Sequence, residues 1–350
     1  MKQAAIQLLQ EDCARVIPEH LADLDLLTNA TLLITGGTGF MGSWIAELVC
    51  HLNEVHKKNI RLKLLARDRA RFQLRLPHLA AKPYVEFLQG DVRDIVDTPK
   101  DLNYIIHAAG NPDNRAHTTN PMGTMITIAD GTRALIQAAE RAAELRMILN
   151  VSSGNIYGGQ PSDLAKLPET FAGAPLCGTA ESAYAEAKRF AETLMTAARS
   201  QARLPVLTVR PFAFVGAYQP LDAPWAVNTF LNDALQKRPI RVLGDGQTVR
   251  SLMYGADMAL WMLVMLVRGK TGHVYNLGSD TGTTLEALAR RVASQFQPCP
   301  EVVLNASLSR AIPTSRLVPD TSAAQRDFGL KLQTDLDTAI QRTLRWHQTQ

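Results

Sequence analysis

Tyr184 and Lys188 stand four residues apart in Tyr184-Ala185-Glu186-Ala187-Lys188, a spacing that puts a phenol and an ammonium on one face of a helix. A lysine so placed can lower the tyrosine's pKa electrostatically and hold a nicotinamide ribose, letting the tyrosinate exchange a proton with a substrate alcohol as hydride moves. Such a pair is also common on ordinary surface helices. What gives it weight is Ser152-Ser153 at the end of the preceding strand-like run, which offers a hydroxyl at the same sheet edge to bind the substrate oxygen.

A second constellation lies near the start of the chain. In Ile34-Thr35-Gly36-Gly37-Thr38-Gly39-Phe40-Met41-Gly42, an apolar strand runs into a helix through Gly36, Gly39 and Gly42, the spacing of a phosphate-binding turn. The turn needs residues without a β-carbon because the backbone must approach a pyrophosphate closely and leave helix N-terminal amides facing it. At the end of the second strand the sequence reads Leu65-Ala66-Arg67-Asp68-Arg69. Arg67 suits the ribose phosphate of NADP; the alternative is that Asp68 takes the ribose hydroxyls of NAD and Arg67 is solvated. The expected cofactor is NAD(P), tilted by Arg67 toward NADP. Asp91 and Val92 suit the adenine edge, and Ala108, Ala109 and Gly110 are small where the cofactor would pass.

The elements that must position these groups alternate from Thr31 onward. Strand-like runs cover 31–35, 61–66, 85–89, 104–108, 147–152 and 206–210, with helical runs at 43–52, 124–144 and 183–200 between them. This order predicts an α/β fold, a doubly wound parallel sheet with ligands at the carboxyl ends of its strands. Residues 1–30 form a helical extension with Ala4, Ala5, Leu8 and Leu9 on one stripe and a break at Pro18. A helix docked on the domain surface is preferred for it over a lid or a dimer contact. Residues 31–211 form the dinucleotide-binding domain, with returns near 250–265. Residues 212–350 form mainly a smaller substrate lobe, with a helix at 225–236 and a strand at 240–243.

Composition narrows the class. The 350 residues are 46% hydrophobic and 20% charged, with a formal net charge of +4. No run of lysine and arginine with interleaved aromatics argues for a nucleic-acid surface. Cys13, Cys50, Cys177 and Cys299 are too scattered for a zinc site or a disulfide framework and read as free thiols of a cytoplasmic protein; no metal is expected. Glu11 and Asp12 stand where a signal peptide would be apolar, and the run from Met258 to Val267 is too short to span a bilayer.

Together, the glycine pattern, the segment Ser153-Gly154-Asn155-Ile156-Tyr157-Gly158, and Tyr184 with Lys188 resemble the extended short-chain dehydrogenase/reductases. These include nucleotide-sugar epimerases, dehydratases and decarboxylases. The resemblance continues through Arg210-Pro211-Phe212, Gly244-Asp245-Gly246 to Arg250, Tyr254 and Asp257, and Tyr275-Asn276-Leu277-Gly278, nearly the whole chain after Thr31. It implies a Rossmann-type domain with a C-terminal substrate lobe, and a homodimer built from the helices at 124–144 and 183–200. Ser153, Tyr184 and Lys188 would be the catalytic set, with Tyr184 the acid/base and Pro211 beside the cofactor. Arg250 would meet the diphosphate of a nucleotide sugar, although a salt-bridged structural arginine competes with that reading. Asn155, Trp225 and Asn228 are further candidate substrate contacts, Trp225 reading equally as core. Tyr157 and Phe212 read as packing residues.

The pattern also departs from the family. Dehydratases of this kind carry Asp-Glu directly after the catalytic hydroxyl residue, and the similar decarboxylases keep a glutamate in the slot of Asn155. Here Gly154 and Asn155 can do no proton transfer. Ile128 and Ala213 stand where the family often has asparagine. These departures favour a nucleotide-sugar epimerase that oxidises and re-reduces its substrate with a tightly held cofactor. A NADPH-dependent ketosugar reductase follows, then a dehydratase or decarboxylase; a non-catalytic dinucleotide sensor is the alternative from another class.

Overall fold

The computed structural model describes residues 2–305 and 315–350. Its strands run in chain order as β1 (Thr31–Thr35), β2 (Arg61–Ala66), β3 (Val85–Gln89), β4 (Leu102–His107), β5 (Met147–Val151), β6 (Val206–Pro211), β7 (Ala213–Val215), β8 (Ile240–Leu243), β9 (Val249–Tyr254), β10 (Val274–Leu277), β11 (Gly282–Thr284), β12 (Val302–Asn305) and β13 (Arg316–Leu317). Seven of them form one parallel sheet in the order β10-β6-β5-β4-β1-β2-β3. The strand order reverses between β1 and β4, which opens a crevice at their carboxyl ends.

Period-two alternation decides which helices cover which face. In β1, Leu32 and Ile34 pack with the helices Phe40–Glu54 and Gly255–Arg268, whereas Leu33 points to the opposite layer with Leu135, Ile136 and Met195. That second layer is built from the helices Pro121–Ala139 and Ala183–Ala202. The first starts at Asn120, whose side chain accepts the Gly123 N–H at 2.9 Å, with Pro121 at the first helical position. It therefore begins earlier and ends sooner than the expected 124–144. In the second helix, Tyr184, Ala187, Lys188, Ala191, Met195 and Ala198 recur at helical spacing as the buried face.

The N-terminal extension is more deeply built in than a surface helix. In Gln3–Val16, Ala5, Leu8 and Leu9 are buried but Ala4 is exposed, so Ala4 is not part of the stripe. Asp12, fully buried, accepts a 2.7 Å hydrogen bond from the Tyr254 hydroxyl and pairs with Arg15 and Arg342. The extension, β9 and the C-terminal helix Leu336–Gln348 thus share one buried ionic cluster. The helix Gly255–Arg268 is buried from Gly255 to Leu266. Among the described residues no helix is long and apolar enough to cross a membrane.

Past the crevice, β7, β9, β11 and β13 form a small sheet, and β8 pairs with β12. The helix Ala226–Leu235 packs beside β8, one residue inside the expected span at each end.

Candidate active site

A cleft with a volume of about 1090 Å³ runs along the carboxyl ends of the sheet strands and under the small lobe. One end is the glycine turn. Gly36 has φ +69°, and a β-carbon there would lie 2.8 Å from the Ala108 carbonyl oxygen; one on Gly42 would lie 2.4 Å from that of Gly37. Gly39 occupies the cap position of the helix Phe40–Glu54 with no side chain capping it, and Thr38, Gly39, Phe40, Met41 and Gly42 all line the cleft. This open helix N-terminus fits the pyrophosphate of a dinucleotide.

Beyond β2, the Asp68 carboxylate caps the helix Arg69–Arg75, accepting the Arg71 N–H at 2.8 Å. Arg67, Arg71 and Arg75 line the cleft beside it. Asp91 and Val92 reach the same wall, where Arg93 grips the Asp91 carboxylate through two guanidinium hydrogen bonds of 2.9 and 3.0 Å and holds it below the usual carboxylate range. Ala108, Ala109, Gly110 and Pro211 complete the floor.

Ser153, Tyr184 and Lys188 come together where β5 ends. The Ser153 hydroxyl is near enough to the Tyr184 phenol to lower its pKa, and Ser153 Oγ accepts the Asn155 N–H at 3.1 Å. Lys188 Nζ lies 5.9 Å from the Tyr184 ring centroid and donates to the Val151 carbonyl at 2.7 Å. Burial lowers the ammonium to about 8 against the opposing charge of Glu192, and burial pushes the phenol up to about 12. The expectation that Lys188 lowers the phenol is therefore corrected: the lowering influence on Tyr184 is the Ser153 hydroxyl, and desolvation outweighs it.

The proposed substrate contacts separate. Asn155, Trp225 and Arg250 line the cleft. Arg250 donates to the Val249 and Ser315 carbonyls and, at 2.9 Å, to Ser315 Oγ; among the described residues it forms no salt bridge, so the salt-bridged alternative is not what the fold builds. Asn228 is buried behind the wall instead, its amide donating to the Pro220 carbonyl at 2.8 Å, because its helix turns that face into the lobe core. Tyr157 is locked away from the cleft by 2.7 Å and 2.9 Å hydrogen bonds to Asn276 and from Arg210. Ile128 packs against Tyr184, Ala187 and Ala191 in an apolar cluster.

One neighbour of Tyr184 carried no sequence signal. The His117 ring stacks flat on that of Tyr184, with centroids 4.3 Å apart and planes 7° from parallel. No spacing rule links residues 67 positions apart in the chain, since the contact depends on how the helix Asn114–Thr119 seats against the next layer.

Comparison with known proteins agrees with this arrangement. The model of the NAD dependent epimerase/dehydratase family matches residues 32–278. A trifunctional UDP-glucose 4,6-dehydratase/UDP-4-keto-6-deoxy-D-glucose 3,5-epimerase/UDP-4-keto-L-rhamnose-reductase of Arabidopsis thaliana is 26% identical over 90% of this chain and 47% of its own length. The chain thus spans about half the length of these curated relatives. A dTDP-glucose 4,6-dehydratase of Streptomyces antibioticus is 27% identical over 90% of this chain and 92% of its own. The UDP-glucose 4-epimerase of Thermotoga maritima, solved with UDP-glucose, shares the fold with a TM-score of 0.76 at 19% identity, covering 91% of this chain and 98% of that one. With the glycine turn, the seven-stranded parallel sheet and the Ser153, Tyr184 and Lys188 cluster all within or beside the matched span, the chain belongs to the NAD dependent epimerase/dehydratase family.

Proposed function

We propose that the protein is a nucleotide-sugar epimerase that holds its dinucleotide through the whole cycle. One observation carries this reading: among the described residues the only carboxylates lining the cleft are Asp68 and Asp91, both at the adenosine end. Loss of water from a hexose requires an acid and a base beside the sugar carbons, and Gly154 and Asn155 occupy that place. Alcohol oxidation and ketone reduction require only one proton carrier, and Tyr184 suffices.

The bound dinucleotide supplies a hydride acceptor and donor. Tyr184 Oη takes the proton of the sugar hydroxyl while Ser153 Oγ holds the same oxygen. Lys188 secures the nicotinamide ribose. After the keto-sugar turns over, Tyr184 returns the proton to the oxygen as the opposite face is reduced. Arg250, without an anionic partner among the described residues, is the side chain for the diphosphate. Asn155 and Trp225 border the sugar.

Arg67 with Arg71 supports NADP as the preferred cofactor, since Asp68 is engaged as a helix cap. The same arginines favour a second reading, a NADPH-consuming ketosugar reductase. Met125, Ile126 and Phe190 stand exposed on the helices Pro121–Ala139 and Ala183–Ala202 and support a homodimer through a four-helix bundle.

The test is incubation with a panel of UDP- and dTDP-activated hexoses, with and without excess NADPH, following cofactor absorbance and sugar NMR together. A new sugar without net cofactor consumption supports the epimerase. Stoichiometric NADPH loss replaces it with the reductase.

A further inference from the structure

His117 is buried, with 4% of its surface exposed, and is absent from the cleft wall, so a ligand in the cleft does not touch it. Its Nε2 lies 2.6 Å from the Asn111 carbonyl, an acceptor only, which fixes the proton on Nε2 and the imidazole as donor. Its face covers the Tyr184 ring. Ile128, Ala187 and Ala191 pack in the same apolar cluster as Tyr184. The phenol ring is thus held between an anchored imidazole and an apolar wall, on the side of the cleft where Ser153 lies.

We propose that His117 is a positioning residue that fixes the plane of the catalytic phenol and ties it to the loop bordering the reaction site. This rests on the reading of Tyr184 as the acid/base. A tyrosine has two soft torsions, and rotation about either carries Oη away from the oxygen it must serve. Displacement of a reacting group by about 1 Å costs on the order of 100-fold in rate. The hydrogen bond to Asn111 sets the imidazole's rotation, and the imidazole sets the phenol's. Asn111 itself lines the cleft beside Gly110. Loop, imidazole and phenol therefore form one unit, and a substrate or cofactor seated against the loop is registered on Tyr184 Oη without contacting His117. A phenylalanine at this position keeps the flat ring and loses the anchor. A glutamine keeps a donor for Asn111 and loses the ring.

The experiment compares His117→Phe and His117→Gln with wild type, each loaded with dinucleotide, using UDP-glucose as the probe and single-turnover absorbance of the reduced cofactor as the rate. Tyr184→Phe serves as control. The expected result is a loss of about 10- to 100-fold in the turnover rate for His117→Gln. Its KM for UDP-glucose stays within about twofold, and His117→Phe, which keeps the ring but not the anchor, recovers only part of the rate. A second readout needs no turnover: in protein carrying 13C-labelled histidine, the His117 ring protons are shifted upfield by the Tyr184 ring current, and the shift disappears in Tyr184→Leu. A His117→Gln variant with the wild-type rate, a rise in KM at unchanged turnover, or the absence of the upfield shift overturns the clamp. Retained turnover in Tyr184→Phe overturns instead the reading beneath it, and is recognisable because the histidine shift is still present in that variant.

Discussion

Lys188 aims its ammonium at the Val151 carbonyl, 2.7 Å away at the end of β5, and not at the phenol one helical turn before it. The ammonium is buried and its hydrogen-bond acceptor is neutral, so desolvation dominates and lowers it from the ordinary lysine value to about 8. Keeping a buried cation at this point costs stability, which the proposed contact with the nicotinamide ribose would explain.

The sign of the linkage follows. Between about 8 and the ordinary lysine value the unfolded chain holds a proton that the folded chain has released, so wild-type stability rises with pH across that window. Lys188→Met, which removes the buried charge, should be more stable than wild type at pH 7 by about 1–3 kcal/mol. The advantage should shrink steadily above about 8, while turnover is lost. Urea unfolding of both proteins from pH 6 to 10 measures it. An advantage that does not change with pH would contradict the account.

The proposed preference for NADP rests on Arg67 and Arg71, because the Asp68 carboxylate accepts the N–H of Arg71. Either arginine changed to alanine should weaken NADPH binding by about 10- to 100-fold, the worth of a charge-assisted contact, and leave NADH within about twofold. Titration of cofactor fluorescence checks this.

The N-terminal helix is held through Asp12, which accepts from the Tyr254 hydroxyl and pairs with Arg15 and Arg342. Asp12→Ala leaves two guanidinium groups without their shared carboxylate and should cost about 3–5 kcal/mol, whereas Tyr254→Phe should cost about 1–3 kcal/mol. Thermal unfolding of the two variants should rank them in that order.

If the proposed homodimer forms through a four-helix bundle, a carboxylate buried in it would separate the copies. Met125→Glu together with Phe190→Glu should yield a monomer in sedimentation equilibrium, with the helical content unchanged.

The glycine turn and the Tyr184–Lys188 pair were legible because each is a local pattern: a turn that excludes β-carbons, and two side chains one helical turn apart. Six of the seven strands of the main sheet were legible to within two residues, since short apolar runs bounded by turns have few other readings, but the edge strand β10 was not read as one. Long-range packing was not legible. Asn228 follows Trp225 closely in sequence, yet the helix rotates its amide onto Pro220, and only Trp225 reaches the cleft. Asp12 entered only as a charge against a signal peptide, with nothing to show that it is fully buried and meets partners from the far end of the chain. His117 gave no signal at all, because its stacking on Tyr184 arises from the seating of a six-residue helix.

On the proposed function, proton transfer in this cleft runs through Tyr184 alone, to and from the sugar oxygen, with no group among the described residues placed to remove a proton from carbon. Running the reaction on UDP- and dTDP-hexoses in D2O and reading the product by NMR tests it directly. The account predicts a product of unchanged composition, inverted at one carbinol carbon and free of deuterium at every carbon, because the hydride returns from the cofactor. Deuterium on a ring carbon, or a product that has lost water, would contradict it.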